Sequence, residues 1–408
     1  MIRLSRTQVL PIGIDIGADS IKMLQLRVVG DSLEVACAAR IATPPASSSD
    51  PQSRTVAAIE AVRRALEENE FRGRSAIVAL PREMVHLKNL RLPPMPPAET
   101  AAALEFEARS LFPFEIEQST LCHIIAGEVR QGADLKQELI VLAARKSEIE
   151  QYVEQLHDGG LVLESIDYEP CAAYRSIERF MRRKEDELDV HVLVDVGLRR
   201  TQVTIGRGRE ISMIKPIEIG GQHLRDAVAR KLGITAEEAV GLRRRIAESA
   251  LQQPDGDSDP VRHAVYDVTR AILEELAREV SLCLRYYSVT FRGARPAKVR
   301  VIGGEGADPQ ILRILNAALS IPVETGKALQ NVECHRMRPA LRQGPMCEWA
   351  VAMGLSLKGT DRYFAGRVGR ARGEAPPALV SEGAAESRAP ALAARSLGIS
   401  SGGEVACA

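Results

Sequence analysis

Two Asp-x-Gly turns stand at matching places in the two halves of the chain. The segment that begins at Ile12 reads IGIDIGADSIKMLQLRVVGDSLEV, and the segment that begins at Val192 reads VLVDVGLRRTQVTIGRGREISMI. Each runs as an apolar strand into Asp-x-Gly and continues as a second strand. The two aspartates, Asp15 and Asp195, are as far apart as the two glycines that follow them. This repeat predicts two related domains that face each other across a cleft.

Turns of this kind have the chemistry of a phosphate site. Glycine at the tip, here Gly17 and Gly197, lets the backbone approach a ligand, and successive amide hydrogens form a concavity for phosphate oxygens. A carboxylate repels phosphate but holds Mg²⁺, so Asp15 and Asp195 are candidate metal ligands. Asp195 is also the candidate catalytic residue, because it would orient an attacking water. One such turn alone is more typical of an ordinary hairpin, and only the matched pair favours the phosphate site.

A third glycine motif lies in the segment VRVIGGEGADPQILRIL, which begins at Val299. It predicts a strand, a turn over Gly303 to Gly306 and a helix with Asp308 as its N-cap and Pro309 as its first residue. Alone, this pattern also fits a tight crossover. After two phosphate hairpins, it is the place where a nucleoside would pack.

The elements that must position these turns alternate between short β-branched runs and helical patterns, as is typical of an α/β protein. The predicted strands are Ile12–Ile16, Ile77–Leu80, Glu138–Ala143, Val190–Asp195, Gln202–Ile205 and Lys298–Ile302. The predicted helices are Thr55–Asn69, Ala98–Leu111, Lys146–Gly159, Cys171–Arg183, Gly221–Leu232, Ala236–Ala250, Val261–Phe291 and Pro309–Leu319. Two polar stretches, Ala42–Arg54 and Gln252–Asp259, are predicted loops.

Composition excludes several classes of protein. The 408 residues carry 54 Lys plus Arg and 54 Asp plus Glu, and this balance argues against nucleic acid as a partner. Seven cysteines without a Cys-x-x-Cys pair indicate neither a disulfide framework nor a structural zinc site. No segment is long and apolar enough to span a bilayer, so we expect a cytoplasmic protein. The Ala-, Gly- and Ser-rich residues 359–408 predict a disordered tail.

Four phrases of the sequence, taken in order, resemble the actin-like ATPase superfamily, which contains actin, sugar kinases, DnaK-type chaperones and FtsA. Within it, they most resemble the PilM family of type IV pilus assembly. The phrases are GIDIGADSIKMLQL from Gly13, LEFEARSLFPFEIEQSTLCHIIAGE from Leu104, IEIGGQHLRDAVARKLGITAEEAVGLRRR from Ile217 and CEWAVAMGLSLKG from Cys347. The resemblance covers roughly 11–358.

The resemblance implies an α/β actin-like ATPase fold, in which two related lobes surround a nucleotide cleft and carry an inserted subdomain of the FtsA and PilM type. The first lobe would comprise residues 1–84 and 164–187, with the inserted subdomain at 85–163. The second lobe would comprise residues 188–235 and 298–358, with a helical subdomain at 236–297.

The same resemblance implies ATP and Mg²⁺ as cofactors. The implied nucleotide-binding residues are Asp15, Gly17, Asp19, Ser20, Lys22, Gly197, Thr201, Gly220, Gly221, Glu238, Arg243, Gly303, Gly304 and Glu305. Among them, Ser20 and Lys22 would contact phosphates. Glu238 and Arg243 would approach ribose and adenine, or would equally form a surface pair without a ligand.

Two parts of the sequence depart from the family pattern. The second turn contains Arg199-Arg200, where small or hydroxyl residues are usual, and these arginines either pair with phosphate oxygens or face solvent. Gln310-Ile311 stands where Gly-Leu would follow the proline. We also find no Glu or Gln whose sequence context identifies it as the group that orients water. The sequence therefore predicts nucleotide binding and leaves hydrolysis open.

For function, the resemblance implies a component of the inner-membrane platform of a type IV pilus or related secretion system. It would bind the cytoplasmic N-terminal segment of a PilN-like bitopic membrane protein in a groove beside the inserted subdomain, and that partner would hold it at the membrane. Other platform or motor proteins and self-association are further expectations. Three alternatives stay open: a membrane-associated polymer-forming ATPase of the FtsA type, a small-molecule kinase, and a scaffold that has lost nucleotide binding.

Overall fold

The strands form three sheets, and two of these carry the Asp-x-Gly turns. The computed structural model describes residues 7–30, 32–44, 51–181, 183, 185–252, 259–292 and 295–360. The strands are β1 (Thr7–Ile16), β2 (Ser20–Val29), β3 (Ser32–Ala42), β4 (Ser75–Ala79), β5 (His86–Leu92), β6 (Ser119–Gln131), β7 (Asp134–Arg145), β8 (Val162–Asp167), β9 (Val190–Val196), β10 (Thr201–Arg207), β11 (Glu210–Ile217), β12 (Val299–Ile302), β13 (Val323–Thr325) and β14 (Val332–Glu333). The helices are α1 (Pro51–Glu68), α2 (Pro97–Leu111), α3 (Lys146–Asp158), α4 (Glu169–Glu178), α5 (Gly221–Leu232), α6 (Ala236–Gln252), α7 (Pro260–Phe291), α8 (Pro309–Ala318) and α9 (Ala350–Lys358).

The two large sheets repeat one topology. The first has the order β14-β3-β2-β1-β4-β8, and the second has the order β11-β10-β9-β12-β13. In each, an antiparallel meander of three strands is followed by two strands that run parallel to the first strand of the meander, β1 or β9. The strand that ends in the aspartate, β1 or β9, occupies the same position in both sheets. The duplicated hairpins predicted from the sequence are confirmed.

The third sheet, with the order β5-β7-β6, forms an inserted module that is buried on both faces. Alternate residues of β7 define these faces, as the pleat of a strand requires. Leu139, Val141 and Ala143 pack in a core with α2. Ile140 and Leu142 belong to the core of the first large sheet, as do the buried side chains of α3. The module is therefore joined to the first lobe by a continuous apolar core.

The helix α9 is buried along its whole length. Its Gly354 lies so close to α4 that a Cβ atom there would overlap the carbonyl oxygen of Ala172. On the other side, the Ser356 hydroxyl donates to the carbonyl oxygen of Pro11 in β1 at 2.8 Å. Close packing on both sides explains why the helix has no polar face. Among the described helices, none combines the length and the apolar character that a membrane crossing requires.

Several predicted element ends differ from the structure. The helix α1 begins at Pro51, so the predicted loop to Arg54 is too long; proline suits the first turn of a helix. The helix α4 ends at Glu178 and not at Arg183, because its buried face stops at Ser176. Residues 361–408 of the predicted tail, and residues 45–50 and 253–258 of the predicted loops, lie outside the described part of the chain. The domain boundaries stay a prediction.

Candidate functional site

A cavity of about 990 Å³ lies between the two large sheets and is lined by both Asp-x-Gly turns and by the third glycine turn. This volume is at the upper end of the range for small-molecule sites. Of the residues predicted from the sequence, the cavity is lined by Asp15, Gly17, Asp19, Ser20, Lys22, Asp195, Gly197, Gly303 and Gly304. The fold therefore brings together three turns that are far apart along the chain.

The first turn holds a buried ion pair. Asp15 and Lys22 are opposite each other in the β1–β2 ladder, so their side chains lie on the same face. The Lys22 Nζ donates to Asp15 Oδ2 at 3.2 Å and to the carbonyl oxygen of Ser20 at 3.4 Å. The Thr43 hydroxyl, at the end of β3, donates to the carbonyl oxygen of Gly17 at 2.6 Å and holds the turn in place. Sequence analysis did not identify Thr43, because its role depends on strand pairing.

The second turn carries a carboxylate in a setting that disfavours its charge. Burial raises the pKa of Asp195 to about 6; nearby Glu169 and Asp15 also raise it, while Arg82 and Lys22 lower it. Gly303, with φ of +91°, lies against this carboxylate, and a Cβ atom on it would overlap Asp195 Oδ1. Glycine is thus required where the third turn meets the second. A bound cation would relieve the unfavourable charge of Asp195.

The wall opposite Asp195 contains two residues that sequence analysis missed. Arg82 directly follows the β4 strand and Pro81, and Glu169 is the first residue of α4. Their side chains pair through Arg82 Nε and Glu169 Oε2 at 2.7 Å, and both line the cavity. The strands β4 and β8 are parallel neighbours, so the residues that follow them lie at the same sheet edge. The strand β8 was not predicted from the sequence, so nothing indicated that Glu169 follows a strand at this edge of the sheet.

The arginines of the second turn pair with carboxylates in different places. Arg199 Nη1 lies 3.6 Å from Glu83 Oε1, so this pair joins the second turn to the segment that enters the inserted module. Arg200 Nη1 lies 3.8 Å from Glu218 Oε1, on the surface of the second lobe. Both arginines line the cavity and both pairs are solvent-exposed, which leaves the guanidinium groups available to an anionic ligand.

Six of the predicted residues do not line the cavity: Thr201, Gly220, Gly221, Glu238, Arg243 and Glu305. Thr201 is fully buried, and its hydroxyl donates to the carbonyl oxygen of Ile219 at 2.7 Å. Glu238 is exposed and accepts hydrogen bonds from the Thr235 backbone at 2.8 Å and the Thr235 hydroxyl at 2.9 Å. It serves as the capping-box residue of α6, so the structure does not place it beside Arg243 at a ligand.

The predicted nucleoside end is closed by ion pairs. Arg243 is buried and its Nη2 lies 2.8 Å from Glu305 Oε2 and 2.9 Å from Asp308 Oδ2. Gln310, which departs from the family pattern, accepts from Thr269 at 2.8 Å and donates to the carbonyl oxygen of Tyr266 at 2.8 Å. These bonds tie α8 to α7, so the departure has a structural role.

The described residues contain no group of three or more His, Cys, Asp or Glu side chains arranged to hold a metal ion. A cation in the cavity would therefore rely on the two carboxylates, Asp15 and Asp195, together with ligand and water oxygens. This donor set fits Mg²⁺, which commonly keeps several waters and takes one or two protein carboxylates beside substrate phosphates.

Comparison with known proteins bears on the family and the fold of the chain. Residues 13–360 match the family described as type IV pilus assembly protein PilM. A solved structure described as a PilM-PilN type IV pilus biogenesis complex is similar at 24% sequence identity and a TM-score of 0.70, over 86% of this chain and 98% of that chain. The ethanolamine utilization protein EutJ from Carboxydothermus hydrogenoformans is less similar, at 15% identity and a TM-score of 0.47, over 86% and 89% of the two chains.

The family match extends over most of the chain, from residue 13 to residue 360. The repeated sheets are compatible with the structural similarity to the solved PilM-PilN complex. The chain has the actin-like ATPase fold and belongs to the PilM family of type IV pilus assembly proteins.

Proposed function

We propose that the chain binds ATP together with Mg²⁺ in the cavity between its two large sheets. The observation that carries the proposal is the convergence of three separate glycine turns on this cavity, with an aspartate at the end of each central strand. Backbone amides of the turns would bind phosphate oxygens, and the Lys22 ammonium and the Arg199 and Arg200 guanidiniums would add positive charge. The zero net charge of the chain is compatible with this local cationic lining.

Asp15 and Asp195 would hold the Mg²⁺, which when bound offsets the charge of the phosphates. One oxygen of Asp15 already accepts from Lys22, so this residue would contact the ion through its other oxygen or through water. The charged form of Asp195 would be stabilised most, because a bound cation offsets the burial that raises the pKa of this carboxylate.

Glu169 is a better candidate than Asp195 for orienting a water. It lies on the cavity wall and its carboxylate is fixed by Arg82 at 2.7 Å. An oriented carboxylate accepts a proton from an attacking water, and it needs no contact with the metal. We infer that ATP turnover, where it occurs, depends on Glu169.

Glu169→Gln should retain Mg-ATP affinity within about threefold and lower turnover at least tenfold. Equal turnover in the two proteins would remove Glu169 from the mechanism.

Isothermal titration with Mg-ATP tests the binding proposal. Asp15→Ala should weaken binding at least tenfold, since it removes a metal ligand and the partner of Lys22. Asp267→Asn, an exposed acidic change on α7, is the matched control and should leave the affinity unchanged. Unchanged affinity in Asp15→Ala would instead favour a scaffold without this nucleotide site.

We further propose that the protein acts at the inner-membrane platform of a type IV pilus or related secretion system. There it would bind the cytoplasmic N-terminal segment of a PilN-like bitopic membrane protein. Family membership supports this role, and a similar solved structure is described as a PilM-PilN complex. The sequence prediction puts this binding beside the inserted module, where Leu80, Val85, Leu142 and Tyr168 line a small apolar depression of about 20 Å³ at the junction with the first lobe.

Fluorescence anisotropy with the partner's N-terminal peptide tests the second proposal. Val85→Asp should weaken peptide binding at least tenfold, while Val162→Asp, at an exposed site on β8, should not. The titration is repeated with and without Mg-ATP, because coupling between the two sites must be reciprocal. Absence of peptide binding with and without Mg-ATP would refute the proposed partner. Sedimentation of the protein as a polymer in the presence of ATP would favour the FtsA-like alternative.

A further inference from the structure

The side chain of Glu305 lies between the third glycine turn and the glycine pair at the start of α5. Glu305 follows Gly303 and Gly304, which line the cavity, but its own side chain points to the opposite side of the turn. The backbone fixes this direction, because the Glu305 amide donates to the carbonyl oxygen of Val196 at 3.0 Å and its carbonyl accepts from Asp308 at 3.0 Å.

The Glu305 carboxylate occupies the space above Gly221. A Cβ atom on Gly221 would overlap Glu305 Oε1, so the carboxylate uses room that only a glycine leaves open. Its oxygens lie 2.8 Å and 3.4 Å from the Nη2 and Nη1 atoms of Arg243. The cavity therefore stops at Gly304, and the glycine pair at the start of α5 does not line it.

The Arg243 ion pairs keep Glu305 in this position. Arg243 is 9% exposed as a side chain and Glu305 is 23% exposed, so the contact is largely shielded from water. Asp308 lies 2.9 Å from the same guanidinium nitrogen, which means that Arg243 stays paired when Glu305 leaves. The Glu305 side chain can thus move without stranding a buried cation, and its release would open a space between Gly304 and Gly221.

We propose that Glu305 is a specificity-determining residue that closes the cavity beyond its phosphate-binding part. In the closed position the phosphates can bind, and the space between Gly304 and Gly221 becomes available to the nucleoside only after the Glu305–Arg243 contact breaks. This inference rests on the proposed binding of Mg-ATP. It differs from the sequence prediction, in which Glu305 itself contacts the nucleotide.

The test compares Mg-ATP with Mg-tripolyphosphate by isothermal titration on the full-length protein and two variants. Glu305→Ala removes both the charge and the bulk of the side chain, whereas Glu305→Gln removes the charge alone. Loss of charge should affect both ligands alike, because both carry the phosphate groups on which a charge acts. Loss of bulk should help ATP only. We expect the preference for ATP over tripolyphosphate to rise at least tenfold in Glu305→Ala, and to rise less in Glu305→Gln.

Asp308→Asn is the matched control, because it removes the other carboxylate on Arg243 without opening the space above Gly221. Its preference for ATP should stay within twofold of that of the wild-type protein. An unchanged or lower preference in Glu305→Ala would overturn the inference and restore Glu305 as a ligand contact. If the wild-type protein and Glu305→Ala bind neither ligand, the proposed nucleotide function fails, and the inference fails with it.

Discussion

Asp195 makes folding stability depend on pH. Its pKa is about 6 in the fold against an ordinary value of 3.8, a difference equivalent to about 3 kcal/mol. Because the folded state binds the proton more tightly, the stability that this group contributes is present below about pH 4 and is lost as the pH rises through 6.

We therefore expect Asp195→Asn to raise the free energy of unfolding by about 1–2 kcal/mol at pH 8, less than the full difference because the amide is still a buried polar group. The gain should be much smaller near pH 4, where Asp195 is protonated in the folded state and partly protonated in the unfolded state. Urea denaturation at the two pH values without nucleotide measures it, with Asp267→Asn as the exposed control. An equal gain at both pH values would contradict the assignment of the effect to ionisation.

The Asp15–Lys22 pair should behave as a buried unit. Lys22→Met leaves the Asp15 carboxylate without its partner and should lower the free energy of unfolding by about 3–5 kcal/mol. The double variant Asp15→Asn, Lys22→Met should lose less free energy of unfolding than Lys22→Met alone, because no unpaired buried charge remains. Urea denaturation of all variants gives the coupling. The exposed pair on α7 is the control, and Arg270→Met should shift stability by at most about 1 kcal/mol.

The cavity-lining residues of the glycine turns were the most predictable part of the candidate site. Asp15, Lys22 and Gly303 lie in or beside turns whose local sequence determines their geometry. Glu238 and Thr201 have the expected residue types, but local hydrogen bonds turn their side chains to other partners. A motif therefore identifies a residue type at a position and does not decide where its side chain points.

At the scale of elements, the sequence predicted the helices and strands whose hydrophobic pattern is strong. It did not predict the strands that depend on pairing with distant parts of the chain. The long helix α7 was predicted at Val261–Phe291 and begins one residue earlier, at Pro260. The strands β3, β5, β8, β11, β13 and β14 were not predicted as separate strands, because strands are stabilised by neighbours that are distant in sequence. The cavity wall at Arg82 and Glu169 depends on β8, and this dependence explains why sequence analysis missed it.

Close packing of α9 against α4 gives a stability prediction for two helical glycines. Gly354→Ala places a Cβ atom on the backbone of Ala172, so the helices must separate. We expect a loss of about 3 kcal/mol or more in the free energy of unfolding, typical of an overpacked core. Gly241→Ala in α6 is the control: its nearest atom is the flexible Arg245 side chain at 3.6 Å, and helix propensity should make it neutral or slightly stabilising. Similar losses in both variants would contradict this account.

At the scale of the whole molecule, the Glu83–Arg199 pair joins the second lobe to the entrance of the inserted module. A triphosphate in the cavity would compete with Glu83 for Arg199. Glu83→Gln should therefore tighten Mg-ATP binding about two- to fivefold at low salt. This gain in affinity should be smaller at about 0.5 M salt, because salt screens the interactions of exposed charges.

Titration at the two salt concentrations measures this effect. Glu218→Gln removes the corresponding partner of Arg200, and Glu218 is 75% exposed and does not line the cavity. We expect Glu218→Gln to change the affinity for Mg-ATP less than Glu83→Gln does. A gain of equal size in both variants would indicate a general charge effect and not release of Arg199.

The position of α9 also has a consequence for the order in which the molecule folds. The second sheet is built from a continuous stretch of chain, from β9 to β13, and is complete before α9 is synthesised. The first sheet starts at residue 7, yet its core waits for α9 to fill the space beside β1. When the whole chain refolds, the second sheet should thus form first, because its strands are close together along the chain. Pulse-labelling hydrogen exchange should protect β9 and β10 amides before those of β1 and β2.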